Sequence, residues 1–267
     1  MTVNSNTNYS VLDRPEVLMF LFHPRAESGV SVQAETAEDI LIPVDEGIAI
    51  GARFHLTGKN GPSVLFFHGN GEIVSDYDGL GPMYNQLGIN FLPVDYRGYG
   101  RSNGEPSVST MMQDCHVIFE FVKNWLKENG YGGPLVCMGR SLGSASALEL
   151  AACYEDAIDV LVIESGFALA GPLLKLLGID VTGLGFEEEK GFANIDKIER
   201  FHKPTLIIHA EHDHIIPYTD GQALYHASAA EQKQLLKIPG ADHNTIFMRG
   251  LSQYLAAIQD LIQGLPG

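Results

Sequence analysis

Pro134-Leu135-Val136-Cys137-Met138-Gly139-Arg140-Ser141-Leu142-Gly143-Ser144-Ala145-Ser146-Ala147 is the stretch on which the reading of this chain turns. Its first five residues have the length and composition of a buried strand, with Leu135, Val136 and Cys137 favouring a sheet. Gly139 and Gly143 bracket Ser141, and small side chains from Gly143 to Ala147 open a helix-like run that extends from Leu142 to Cys153. A strand that turns sharply into a helix presses two backbones together, so small residues are required at the junction, and the residue at the tip is thrust outward. Ser141 occupies that tip and is the candidate nucleophile.

On either side of this turn, apolar runs of strand length lie at 63–67, 90–94, 134–138, 160–163 and 205–208, with a last one at 234–238. Helix-length segments separate them, and this alternation predicts an α/β fold with a doubly wound, mostly parallel sheet. Residues 30–34 and 48–56 alternate in polarity, which predicts antiparallel strands at the start of that sheet. Ser107, after Pro106, opens a helix whose periodicity runs from Met111 to Trp125, and a further helix from Leu251 to Ile262 closes the chain.

Residues 166–202 contain Gly171, Pro172, Gly178, Gly183, Gly185 and Gly191, enough punctuation for one or two short helices laid over the sheet as a small lid. Phe167, Leu173, Leu174, Leu176, Leu177 and Ile179 give the lid an apolar face, which either lines a pocket or packs on the body. The acidic run Glu187-Glu188-Glu189 reads as its solvated part. With 267 residues and 45% hydrophobic content, the chain supports one domain spanning 1–267.

Thirty-three acids against 17 bases give a formal charge of −16. No run of Lys or Arg is long enough to track phosphates, so neither nucleic acid nor an anionic membrane surface is an expected partner. No apolar stretch approaches the ~18 residues of a membrane span, and Leu18 to Phe22 is too short for a signal-peptide core, so a cytoplasmic protein is expected. Cys115, Cys137 and Cys153 lack CxxC spacing and read as reduced thiols of the interior.

A serine hydroxyl needs a base within hydrogen-bond reach and a third group to orient that base. His243, in Gly240-Ala241-Asp242-His243-Asn244 after the last strand, is the candidate base. Asp213 follows the strand at 205–208 and emerges at the same sheet edge, which makes it the candidate orienting acid. Glu164 is its rival at the end of another core strand, and Glu211 and Asp220 are further alternatives. Negative charge developing on a carbonyl oxygen calls for two preset N–H donors. The backbone of Leu142 supplies one, and that of Asn70, in His68-Gly69-Asn70-Gly71, the other. Arg140 either contacts a substrate carboxylate or pairs with a structural acid.

These residues resemble the α/β-hydrolase superfamily, over nearly the whole chain from about residue 30 onward. Asp95-Tyr96-Arg97-Gly98-Tyr99-Gly100-Arg101-Ser102 is similar to the family's loop after the following strand, where the role is mainly structural. The segments 204–217 and 240–244 are similar to its acid and histidine loops, with Ala210 where many members carry glycine. Within the superfamily the chain most resembles the small-lid branch that includes protein depalmitoylases and monoacylglycerol-lipase-like enzymes. The resemblance implies a serine esterase or thioesterase that needs no cofactor and acts on a small or lipid-like acyl substrate. A Cys-rich N-terminal segment of the kind that anchors eukaryotic depalmitoylases is not seen, so no stable membrane anchor is expected.

Two other classes of function remain open on these residues. His209, Glu211, His212, Asp213 and His214 fall within six positions and approximate an HxHxDH metal motif, which points to a metal-dependent hydrolase. A non-catalytic ligand-binding protein on the same fold is the other.

Overall fold

The computed structural model describes residues 7–28 and 37–265. Eight strands form one sheet: β1 (Ala37–Asp45), β2 (Ile48–His55), β3 (Ser63–Phe67), β4 (Asn90–Val94), β5 (Leu135–Arg140), β6 (Val160–Glu164), β7 (Thr205–Ala210) and β8 (Lys233–Ile238). Their lateral order is β1-β2-β4-β3-β5-β6-β7-β8. The pairs β1/β2 and β2/β4 are antiparallel and every other pair is parallel. The antiparallel strand expected at 30–34 lies outside the described residues. The first strand described is β1, whose Ile42 is buried while Leu41 points outward.

Eight helices accompany the sheet among the described residues: α1 (Pro15–Leu21), α2 (Gly81–Gln86), α3 (Val108–Glu128), α4 (Gly143–Cys153), α5 (Ala170–Leu176), α6 (Asn194–Ile198), α7 (Tyr218–Ala227) and α8 (Ile246–Gln263). Ser107 caps α3 as its position predicts, accepting from the Thr110 N–H through Oγ. None of the described helices is long and apolar enough to cross a membrane.

Strand side chains alternate between the two faces, and each face buries its own core. On one face Leu65, Phe67, Cys137, Leu161, Ile163 and Ile207 pack against α3, α4 and α7 through residues such as Met112, Phe119, Leu148 and Leu224. On the other, Val64, Phe66, Val136, Met138, Val162 and Ile208 pack against α2 and α8 through Tyr84, Tyr254 and Ile258. Each large apolar side chain fully buried in this way contributes about 1.5–3 kcal/mol. The parallel strands β3, β5, β6 and β7 all deliver their C-terminal ends to one edge. That edge is where open α/β sheets of this kind build their sites.

Residues 166–202 hold α5 and α6 with a short 3-10 turn at Glu188–Lys190 between them. The Glu188 carboxylate accepts the N–H groups of Ala170 (2.6 Å) and Gly171 (2.8 Å) at the start of α5. Within the acidic run, Glu188 is therefore a helix cap rather than a merely solvated residue.

Candidate active site

Ser141 has φ +50°, a left-handed conformation that a residue with a side chain adopts only where its surroundings enforce it. Those surroundings are the glycines on either side. A Cβ on Gly139 would run into the Gly143 carbonyl and lie 2.8 Å from Ser144 Cα; one on Gly143 would strike the Phe67 carbonyl and lie 2.7 Å from that of His68. The start of α4 can therefore sit against the ends of β3 and β5. The Ser141 N–H is anchored on the Glu164 carbonyl at 2.9 Å.

His243, on the loop between β8 and α8, is buried with Nε2 3.0 Å from Ser141 Oγ and Nδ1 2.7 Å from Asp213 Oδ2. The other Asp213 oxygen accepts the N–H groups of Ile215 (3.0 Å) and Ile216 (2.8 Å), which fixes the carboxylate. Burial opposes ionisation of Asp213, but the hydrogen bond and charge of His243 outweigh it and hold the carboxyl below its ordinary range. The structure thus brings three sequence-predicted residues into one chain of hydrogen bonds.

The rival acids lie elsewhere. Glu164 is fully buried, paired with Arg140 Nη1 and bonded to Tyr254 Oη at 2.9 Å. Asp220 accepts the Ala168 N–H at 2.9 Å. Glu211 pairs with Lys237 and accepts the Gly240 N–H. Nor do the side chains of 209–214 converge on a common point. His209 Nε2–H donates inward to the Ile216 carbonyl, His212 is exposed, and Glu211 and Asp213 face different partners. Among the described residues, one set of three potential metal ligands approaches within mutual reach, His116, Glu149 and Cys153 on α3 and α4. There Lys197 Nζ stands 2.7 Å from Glu149 and already supplies the cation. Arg140, for which the sequence left two readings, is an ion-paired residue of the interior, bonded to Glu72 and Glu164.

Neither the Asn70 N–H nor the Leu142 N–H donates to another protein atom among the described residues. Both residues line a cavity of about 70 Å³ that also contains Ser141. The Asn70 side chain is fastened from two directions. Its Oδ1 accepts the His23 N–H (2.7 Å) and the Tyr99 hydroxyl (2.8 Å). Tyr99 belongs to the loop expected to be structural, and it acts here by holding the Asn70 loop. His23 follows α1, an element the sequence reading did not anticipate. Seven residues are too few to establish a helical period, and Pro15 and the acidic Glu16 in its first turn were its local signals.

α1 forms a wall of the cavity through Phe20 and Leu21, with Leu173, Leu177, Ile215 and Ile216 around the rest. Leu173, Ile215 and Ile216 also line an adjoining cleft of about 350 Å³ beneath α5, together with Phe167, Pro172 and Leu176. The apolar face of residues 166–202 thus lines a cavity at Leu173 and Leu177 and packs into the core at Phe167 and Leu174. The outer surface beside it carries partly exposed Phe20 and exposed Leu169 and Leu176.

Residues 58–179 match the family model described as serine aminopeptidase, S33. Alpha/beta hydrolase domain-containing protein 17B of Homo sapiens is 30% identical over 244 residues, covering 87% of this chain and 77% of the relative. Its Xenopus tropicalis counterpart is 29% identical over 243 residues, with the same coverage. Among solved structures, an esterase of Pyrococcus furiosus superposes with a TM-score of 0.72 at 15% identity, over 90% of this chain and 98% of that one. A monoacylglycerol lipase of Paleococcus ferrophilus gives 0.63 at 19% identity, over 80% and 98%. These likenesses carry the fold.

Proposed function

The chain belongs to the α/β-hydrolase family, and from that premise we propose that it is a serine hydrolase cleaving an acyl ester or thioester through an acyl-enzyme on Ser141. The observation that carries the proposal is the continuous line Ser141 Oγ, His243 Nε2, His243 Nδ1, Asp213 Oδ2, with steps of 3.0 and 2.7 Å. Asp213, ionised and fixed by two backbone N–H groups, accepts from Nδ1–H and so leaves the lone pair of Nε2 facing the serine hydroxyl.

In the first step Ser141 Oγ attacks the acyl carbonyl while His243 takes its proton, and the Asn70 and Leu142 N–H groups receive the oxyanion. The start of α4 adds the positive end of a helix dipole beside them. His243 then passes its proton to the departing alcohol or thiol. Water repeats the sequence against the acyl-enzyme, so no cofactor enters the scheme.

The apolar walls around Ser141 favour an acyl group over a charged one, and the adjoining cleft offers room for a lipid-like chain. We read residues 166–202 as the lid that roofs this acyl site. Ser141→Ala is expected to lower kcat on a p-nitrophenyl acyl ester by about 10⁴-fold or more with little change in thermal stability. Retention of full activity by that variant overturns the proposal.

A further inference from the structure

Arg140 touches no substrate in the scheme above, yet it is 4% exposed and each of its three guanidinium nitrogens has a partner. Nε donates to Glu72 Oε1 at 2.8 Å, Nη1 donates to Glu164 Oε1, and Nη2 donates to the backbone carbonyl of His243 at 2.9 Å. Glu72 continues the connection, because its Oε2 accepts the Gly69 N–H and the Tyr77 hydroxyl, both at 2.6 Å. Gly69 is the residue before Asn70. Glu164 continues it in another direction, since its own carbonyl receives the Ser141 N–H. The guanidinium therefore stands where three loops meet: the loop carrying Asn70, the turn carrying Ser141 and the loop carrying His243.

We infer that Arg140 is the positioning residue that sets His243 and the Asn70 loop relative to Ser141, with Glu72 as its clamp on the Asn70 side. A guanidinium suits this task because it is a rigid planar fork with a fixed angle between its donors, and its bonds to carboxylates are charge-assisted. A lysine ammonium carries the same charge but cannot present that fork. Burial works against ionisation of Glu72, yet the charge of Arg140 and the Tyr77 hydrogen bond prevail and bring its pKa down to about 2. The clamp therefore stays charged well below neutral pH. Small displacements of catalytic groups cost rate far more than they cost binding, and about 1 Å is enough for roughly 10²-fold.

This inference rests on the Ser141–His243–Asp213 reading, and the experiment keeps the two apart. Glu72→Gln preserves shape but directs an amide NH₂ either at Arg140 or at the Gly69 N–H and Tyr77 hydroxyl, so one side of the clamp is lost. In the full chain, with a p-nitrophenyl ester as substrate, Glu72→Gln is expected to lower kcat by about 10- to 100-fold while KM shifts less than about threefold. The rate of labelling by a fluorophosphonate should fall by the same factor as kcat. Arg140→Lys should show the same pattern, and the double variant should lose less than the product of the two single losses. Should Arg140→Lys fail to fold, Glu72→Gln decides alone; should Glu72→Gln fail to fold, Arg140→Lys does. A folded variant with unchanged kcat, or with a loss confined to KM, overturns the inference. Full activity in Ser141→Ala instead removes the triad reading on which it stands.

Discussion

Ser141 holds a left-handed backbone conformation because Gly139 and Gly143 admit the close approach of α4, and the resulting turn aims Oγ at His243. A second histidine, His209, lies directly behind the acid with Nε2 3.7 Å from Asp213 Oδ2, fully buried. Burial holds His209 and the likewise buried His55 below the ordinary histidine pKa. The folded protein therefore resists protonating them, whereas the unfolded chain takes up protons below a pH of about 6.5. Because the unfolded state then binds more protons, stability falls as pH drops below about 6.5, by up to ~1.4 kcal/mol per pH unit for each histidine. His209→Gln, which keeps a donor for the Ile216 carbonyl, is expected to make that slope shallower in urea unfolding followed between about pH 6.5 and pH 5. An unchanged slope contradicts this account of His209. Ser141, Asp213 and His243 were legible in the sequence because each follows a strand that its own local pattern reveals. Of the two readings the sequence left for Arg140, the structure has the pairing with structural acids, but which partners Arg140 and Tyr99 take was not legible, because Arg140 reaches Glu72 and His243 across 68 and 103 positions and Tyr99 reaches Asn70 across 29.

At the scale of elements, the small-residue start of α4 decides whether the turn can form. Gly143→Ala places a methyl group against the Phe67 and His68 carbonyls, which are backbone and cannot swing aside. It is expected to destabilise the fold by about 1–3 kcal/mol, read from the chemical denaturation midpoint. Gly132→Ala, where nothing lies within 4 Å of the added carbon, is the control expected to be near neutral. Equal stability of the two variants contradicts the close-packing account. The long elements were the readable ones. The 21-residue α3 shows its cap and its period, and β4 at Asn90–Val94 is bounded as its apolar run is. The short α1 and the Glu188 cap on α5 were hidden, because each depends on a contact made after the chain has folded.

For the whole molecule, alternation of strands and helices made the parallel sheet foreseeable, while the lateral order of its strands is a property of packing. Two cores, one on each face, pack the sheet, and its C-terminal edge brings Ser141, His243, Asp213 and the Asn70 loop together. The acidic balance of −16 gives the molecule a net negative charge, and the walls beside Ser141 are apolar. Family membership agrees with hydrolysis, and the hydrogen-bonded line from Ser141 through His243 to Asp213 supports the proposal that Ser141 is the reacting residue. The most direct measurement of that assignment is the intact mass of the protein after incubation with a fluorophosphonate, followed by peptide mapping of the adduct, since an activated serine reacts readily with this probe. The account expects a single adduct on Ser141 that is lost in Ser141→Ala. A folded protein that remains unlabelled, or an adduct mapped to another residue, contradicts it.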